Sequence, residues 1–127
     1  MKLRKETEKT TFLGTGALAL AQYWDVRDYD IISMAIRNLG PGAISAFQLR
    51  ANPSMKDTAA AIIIKSSNFI VADTVIVSST GDPTTLASGG SVLLDVDTSY
   101  RSQLHIYINA PVGTTVELIA GLYVYDI

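Results

Sequence analysis

The last stretch of the chain, Tyr100 to Ile127, constrains the fold most, because it reads as two long β-strands separated by Pro111-Val112-Gly113. Side chains along a strand point alternately to its two faces. Leu104, Ile106 and Ile108 share one face of the first strand, and Val116, Leu118 and Ala120 share one face of the second. Proline presets φ for a type I turn and glycine takes the left-handed position that ends a three-residue loop. The pattern therefore predicts a hairpin with Ala110 opposite Thr114, its two apolar stripes side by side against a core. The opposite side would carry Arg101, His105 and Tyr107 across from Tyr123, Ile119 and Glu117. Outward Ile119, Tyr123, Tyr125 and Ile127 leave the final strand apolar on both faces, and a strand with two dry faces needs a cover, for which a neighbouring subunit is the natural candidate and the N-terminal arm or the Lys56 to Ile64 segment folding back over it the alternative.

A chain of 127 residues suits one domain and one core. Hydrophobic residues make up 48% and charged residues 17%, an apolar balance that favours association with other subunits. Cysteine is absent, so neither disulfides nor thiolate metal sites can brace the fold. A formal net charge of −2 argues against a nucleic-acid footprint over the whole chain. The charges are uneven, because Lys2, Arg4, Lys5 and Lys9 supply four of the 10 basic residues. Glu6 and Glu8 dilute them, and Gly14-Thr15-Gly16 interrupts the apolar run that follows, which counts against a targeting peptide. No apolar run is long enough for a membrane-spanning helix.

Residues 1–10 show neither a helical nor a strand period and are expected as an extended arm, loose or lying on a neighbour, preceding a single domain over 11–127. Deleting Met1 to Lys9 is accordingly expected to leave folding unchanged. Ala17 to Val26 reads as a strand with Leu18 and Leu20 inward and, after a register change, Tyr23 or Trp24 inward, Trp24 being the single tryptophan and a core anchor. Ile32, Met34 and Ile36 alternate along the next strand, and Asn38-Leu39-Gly40-Pro41-Gly42 then turns the chain into Ala43 to Ala51, with Phe47 and Leu49 inward, as a second hairpin. Lys56 to Lys65 is an irregular piece leading into a buried strand, and Phe69 to Val71 and Val75 to Ser78 are strand segments with a break near Asp73. Thr80-Gly81-Asp82-Pro83 and Ser88-Gly89-Gly90 are turns, with Leu86 between them plugging the end of the core. Ser91 to Asp97 follows with Val92, Leu94 and Val96 on one face. The fold expected is all-β: a two-sheet antiparallel β-sandwich, jelly-roll-like, of seven to eight strands.

Chemistry is sparse. His105 is the single histidine, on the outward face of a regular strand, which favours a half-buried surface residue over a catalytic one. Asp25, Asp28 and Asp30 lack the glycine-containing calcium loop and suit a turn, while Asp95 and Asp97 suit a charged strand edge. No glycine-rich phosphate loop is present, and no cofactor or metal is expected. Tyr107, Tyr123 and Tyr125 are the rings that a carbohydrate-binding or adhesion module would use, and Tyr123 could instead meet Arg101 across the hairpin.

The run Tyr29-Asp30-Ile31-Ile32-Ser33-Met34-Ala35-Ile36-Arg37-Asn38-Leu39-Gly40, then Ala43-Ile44-Ser45-Ala46-Phe47, resembles small β-sandwich virion proteins of tailed bacteriophages, especially capsid decoration and other head-associated proteins. Thr80 to Gly89, the strand after it, Tyr100 to Ile108 and Gly113-Thr114-Thr115-Val116 fit the same order. The resemblance implies a non-enzymatic protein assembled in the host cytoplasm and resident in the virion. There it would bridge capsomers, commonly as a dimer or trimer, with the major capsid protein or another virion protein as partner. Lys2, Arg4, Lys5 and Lys9 would then meet acidic capsid surface, with nucleic acid the less suited partner. Tyr107, Ile119, Tyr123 and Tyr125 complete the expected partner-binding set. A tail or neck position would leave the same traces.

Overall fold

The computed structural model describes residues 1–51, 62–67, 75–78, 86–98 and 102–125, with the backbone alone described for 51, 62–67 and 75–78. The expected irregular piece at 56–61, the strand segment at 69–71, the break near Asp73, the Thr80 turn, Arg101 and Ile127 lie outside the described residues. The strands are β1 (Lys2–Glu6), β2 (Thr10–Leu13), β3 (Leu18–Asp25), β4 (Ile31–Gly40), β5 (Ala46–Ala51), β6 (Ile62–Ser67), β7 (Val75–Ser78), β8 (Ser91–Asp97), β9 (Gln103–Asn109) and β10 (Thr115–Val124). They form two antiparallel sheets packed as a sandwich. One has six strands, in the order β1-β10-β4-β8-β7 with β2 also on β10, and the other has four, in the order β3-β9-β5-β6. The pairings nest: β2 with β10, β3 with β9, β4 with β8 and β5 with β6. Such nesting is that of one long antiparallel ribbon, here coiled so that β4 also meets β10 and β5 also meets β9.

This coiling corrects both expected hairpins. β9 and β10 belong to different sheets, as do β4 and β5. The turn after β9 has the expected local form, with Gly113 at φ +87° and Thr114 N–H donating to the Pro111 carbonyl at 3.1 Å. The flanks of that turn, however, bond to the start of the chain rather than to each other. Gly14 N–H donates to the Thr114 carbonyl and Gly16 N–H to the Ala110 carbonyl, each at 2.8 Å. An apolar stripe can be buried beside its neighbour in one sheet or across from it in a sandwich, and alternation alone does not distinguish the two. Leu104, Ile106 and Ile108 do face the core, as do Val116, Leu118 and Ala120, but from opposite sheets.

The N-terminal residues are extended, as expected, but they lie on their own chain. β1 and β2 run along one edge of β10, and between them Thr7 closes on Ala120. Thr7 N–H donates to the Ala120 carbonyl at 2.8 Å, and Ala120 N–H donates to Thr7 Oγ1 at 3.0 Å. These strands raise the number above the seven to eight expected. Every side chain of β1 is exposed, so no hydrophobic period marks it in the sequence. In β3 a register shift between Leu20 and Gln22 occurs and Trp24 is buried, both as expected, but Leu18, Leu20 and Tyr23 are exposed. Ile32, Met34, Ile36, Phe47, Leu49, Val92, Leu94 and Val96 all enter one core, closed at one end by Leu86, whose backbone bridges Ile44. A side chain buried in this way contributes about 1.5–3 kcal/mol relative to an exposed one.

Candidate functional site

Because β4, β8 and β10 alternate buried and less buried residues, their registers place the outward side chains in rows across the six-stranded sheet. Leu3, Tyr123, Ile31 and Asp97 form one row, and Glu6, Gly121, Ser33 and Asp95 the next. Ile119, Ala35 and Leu93 make the third, and Glu117, Arg37 and Ser91 the fourth, flanked by Thr11 of β2. Large side chains thus stand around small ones. Two adjoining hollows of about 220 and 250 Å³ result, the first among Leu3, Ala35, Leu93, Ile119 and Tyr123, the second beside Ile31 and Asp95, with Ser33 and Tyr123 lining both.

Gly121 lets Tyr123 and Leu3 lie low across β10: a Cβ at this position would lie 3.0 Å from Cε2 of Tyr123 and 3.4 Å from Cδ1 of Leu3, so these two side chains cover the glycine and wall one side of the hollow. Glycine inside a strand commonly marks such a close approach. Charge borders the hollows: Glu6 lines the first and Asp95 the second. On one side Glu117 is approached by Lys9 at 3.7 Å and by Arg37 at 4.0 Å, and on the other Asp95 and Asp97 are exposed.

The expected partner-binding residues divide. Ile119 and Tyr123 stand half-buried on this face, and Tyr125 lies just past the end of β10, where its backbone N–H donates to Asp30 Oδ2 at 2.7 Å. Lys2 and Lys5 share the phase of Val124 and Leu122, opposite to Leu3 and Glu6, and Arg4 sits at the bulge between. The basic residues therefore do not make one patch. Lys2 and Lys5 belong to the flank of the sandwich, where Lys5 is close enough to β3 to help hold the Asp25 carboxyl below its ordinary value, an effect due first to the hydrogen bonds of Arg27. Lys9 instead serves Glu117.

Tyr107 is on the far side of the sandwich, on the outer face of the four-stranded sheet. The Arg50 guanidinium lies 4.0 Å over its ring, and the Arg50 Nε–H donates to Gln48 Oε1 at 2.8 Å. Next along β9, His105 meets the edge of Tyr23 with centroids 5.7 Å apart, and its Nε2 lies 3.1 Å from Gln103 Oε1. Burial, and secondly the charge of Arg50, lower the His105 pKa, so the ring is neutral at pH 7. A single glycan cannot stack on Tyr107 and Tyr123 together, since they stand on opposite faces.

The aspartates of the β3–β4 turn have separate duties. Arg27 grips Asp25 through Nε and Nη2, and Asp30 accepts from Tyr125. Among the described residues no group of three or more His, Cys, Asp or Glu side chains is arranged to hold a metal, and no helix is long and apolar enough to cross a membrane. Sequence reasoning missed Leu3, Ser33, Ala35 and Leu93 as parts of the face. The available signals were Gly121 inside a long apolar strand and the consecutive pair Leu93-Leu94, of which only one member can point inward. No family model, curated protein or solved structure matches the chain.

Proposed function

We propose that this chain is a non-catalytic virion structural protein of a tailed bacteriophage, a jelly roll that decorates and stabilises the outside of the capsid. The nested strand pairing supports the jelly-roll part of this reading, since two interleaved antiparallel sheets built from one coiled ribbon are what that architecture requires. The observation that carries the functional part is the outer face of the six-stranded sheet, where Ile119, Tyr123, Leu93 and Leu3 surround a hollow instead of presenting a fully polar surface. A hollowed apolar centre with charges at its rim has the anatomy of a protein-protein contact. In this reading the face is covered by another virion subunit, while Lys2, Arg4 and Lys5 on the exposed edge strand β1 meet acidic groups of the major capsid protein. Charge on such an edge also discourages indiscriminate strand pairing.

Adding the purified chain to preformed heads that lack it tests the proposal. The expected result is saturable co-sedimentation that weakens as salt is raised and weakens further in the Lys2→Glu, Lys5→Glu double variant. Absence of binding to heads, with binding of a glycan that is lost in Tyr107→Ala, would replace this reading with a carbohydrate-binding one.

A further inference from the structure

We infer that the outer face of the four-stranded sheet, on the side of the sandwich opposite the hollows, binds an acidic polysaccharide, with Arg50 taking a sugar carboxylate and the exposed Tyr23 ring taking the face of a neighbouring sugar. That the polysaccharide is one of the bacterial surface met by a virion rests on the reading of the chain as a virion protein. The chemistry of the site does not.

Register assembles the site. Tyr23, His105 and Arg50 stand side by side on β3, β9 and β5, with Tyr107 beside Gln48 one outward step along and Gln103 one outward step the other way. Two groups are already fixed in place. Arg50 is laid over the Tyr107 ring with its Nε–H tied to Gln48, and His105 sits between Tyr23 and Gln103. The Tyr107 ring is thereby occupied and serves as the support for the guanidinium, whereas Tyr23 is 54% exposed and open to a ligand. Side chains ordered before the ligand arrives lose less freedom when it binds.

The hydrogen-bonding capacity left over is mostly donor. Gln48 Oε1 is spent on Arg50, which turns the Gln48 NH2 outward to donate. The neutral His105 donates its Nε2–H to Gln103 Oε1, which leaves the Gln103 NH2 as a donor and the imidazole Nδ1 as an acceptor. Among the described residues no carboxylate pairs with Arg50, and Asp25, the acid on this face, is held by Arg27. Donors grouped around one unmatched guanidinium suit a ligand rich in acceptors, carrying a carboxylate that the planar fork can grip in bidentate fashion.

Spacing fits a chain of sugars. From Tyr23 to Tyr107 is one diagonal across a strand pair, about 7–8 Å, so adjacent units of one polymer can meet the open ring and the guanidinium. Single-stranded nucleic acid would also stack on Tyr23, but tracking its backbone takes a row of cations, and Arg50 stands alone here among the described residues.

NMR titration of the full, isotope-labelled chain with a galacturonate oligosaccharide tests the inference, with a neutral galactose oligosaccharide and a single-stranded oligonucleotide as comparisons. The expected result is saturable shift changes confined to β3, β9 and β5, with the neutral sugar bound about tenfold more weakly or less. Arg50→Gln is expected to weaken galacturonate binding about tenfold, and Tyr23→Ala about fivefold, with circular dichroism unchanged. Tyr23 is exposed, so its variant keeps the test independent of folding. No galacturonate binding, equal binding of the neutral sugar, tighter binding of the oligonucleotide, or wild-type affinity in both variants overturns the inference. Binding to heads is measured on the same samples. A chain that binds heads and no galacturonate sinks this site and keeps the virion reading, and one that binds galacturonate but ignores heads does the reverse.

Discussion

Replacing Asn38 with alanine is expected to destabilise the fold by about 3 kcal/mol, a fall of about 10 °C in Tm for a chain of this size. Asn38 is fully buried near the end of β4. Its Nδ2 donates to the carbonyls of Gly42 at 2.7 Å and Leu86 at 2.8 Å, and its Oδ1 accepts from Gly40 N–H at 2.8 Å. One side chain thus ties the β4–β5 crossing to the segment that leads into β8. Alanine would remove these partners from the Gly40 N–H and the Gly42 carbonyl and leave the Leu86 carbonyl with the Ile44 N–H alone, and an unpaired buried polar group costs more than a made bond contributes. Asn38→Asp keeps the shape but replaces the NH2 that supplies both donated bonds with an oxygen that repels the two carbonyls, so it is expected to be at least as damaging. Thermal unfolding by circular dichroism checks both. A fall of less than about 1 kcal/mol in Asn38→Ala would mean that the side chain does not hold the two segments together.

Deleting residues 1–9 is expected to destabilise the protein by about 2 kcal/mol, about 7 °C in Tm, and to make it aggregate. The segment is part of the sheet: β1 pairs with β10 from Lys2↔Val124 to Glu6↔Gly121, and Thr7 bonds both backbone groups of Ala120. Its removal exposes the backbone edge of β10 beside Leu122 and Tyr123, and an unprotected apolar edge recruits other strands. Unchanged Tm and unchanged solubility would show that the pairing contributes nothing. Truncation is for the same reason a poor probe of capsid binding, and charge reversal at Lys2 and Lys5 is the cleaner one, since both side chains are exposed.

Much of the sandwich was legible in the sequence because β4, β8 and β10 each have one dry face. Ile32-Met34-Ile36, Val92-Leu94-Val96 and Val116-Leu118-Ala120 alternate without interruption, and each of these side chains is buried. Pairing was not legible in the same way. The Pro111-Val112-Gly113 loop has the residues of a hairpin turn, but Gly14 and Gly16 take the hydrogen bonds that would have held the hairpin together. β1 escaped notice because an edge strand needs no apolar side chain, only a neighbour with free backbone groups. In β3 the burial of Trp24 after a register shift was legible, but Leu18 and Leu20 were misread as inward because the edge strand leaves them exposed.

The candidate face was half legible. Ile119 and Tyr123 stood out as apolar residues at outward positions of a strand already buried on its other side. The hollow beside them is built from Ser33, Ala35, Gly121 and Leu93, on three strands far apart in sequence. No single segment could announce it. Tyr107 was assigned to the same side only because β9 and β10 were read as one hairpin; their separation into two sheets moves it to the other face, under Arg50.

Hydroxyl-radical footprinting of Tyr123 and Leu93, compared between the isolated chain at low concentration and the assembled particle, tests the central claim most directly. Tyr23, exposed on the opposite sheet, is the internal control. Strong protection of Tyr123 and Leu93 on assembly, with Tyr23 still reactive, is the predicted result; equal reactivity of Tyr123 and Leu93 in both states would contradict the account.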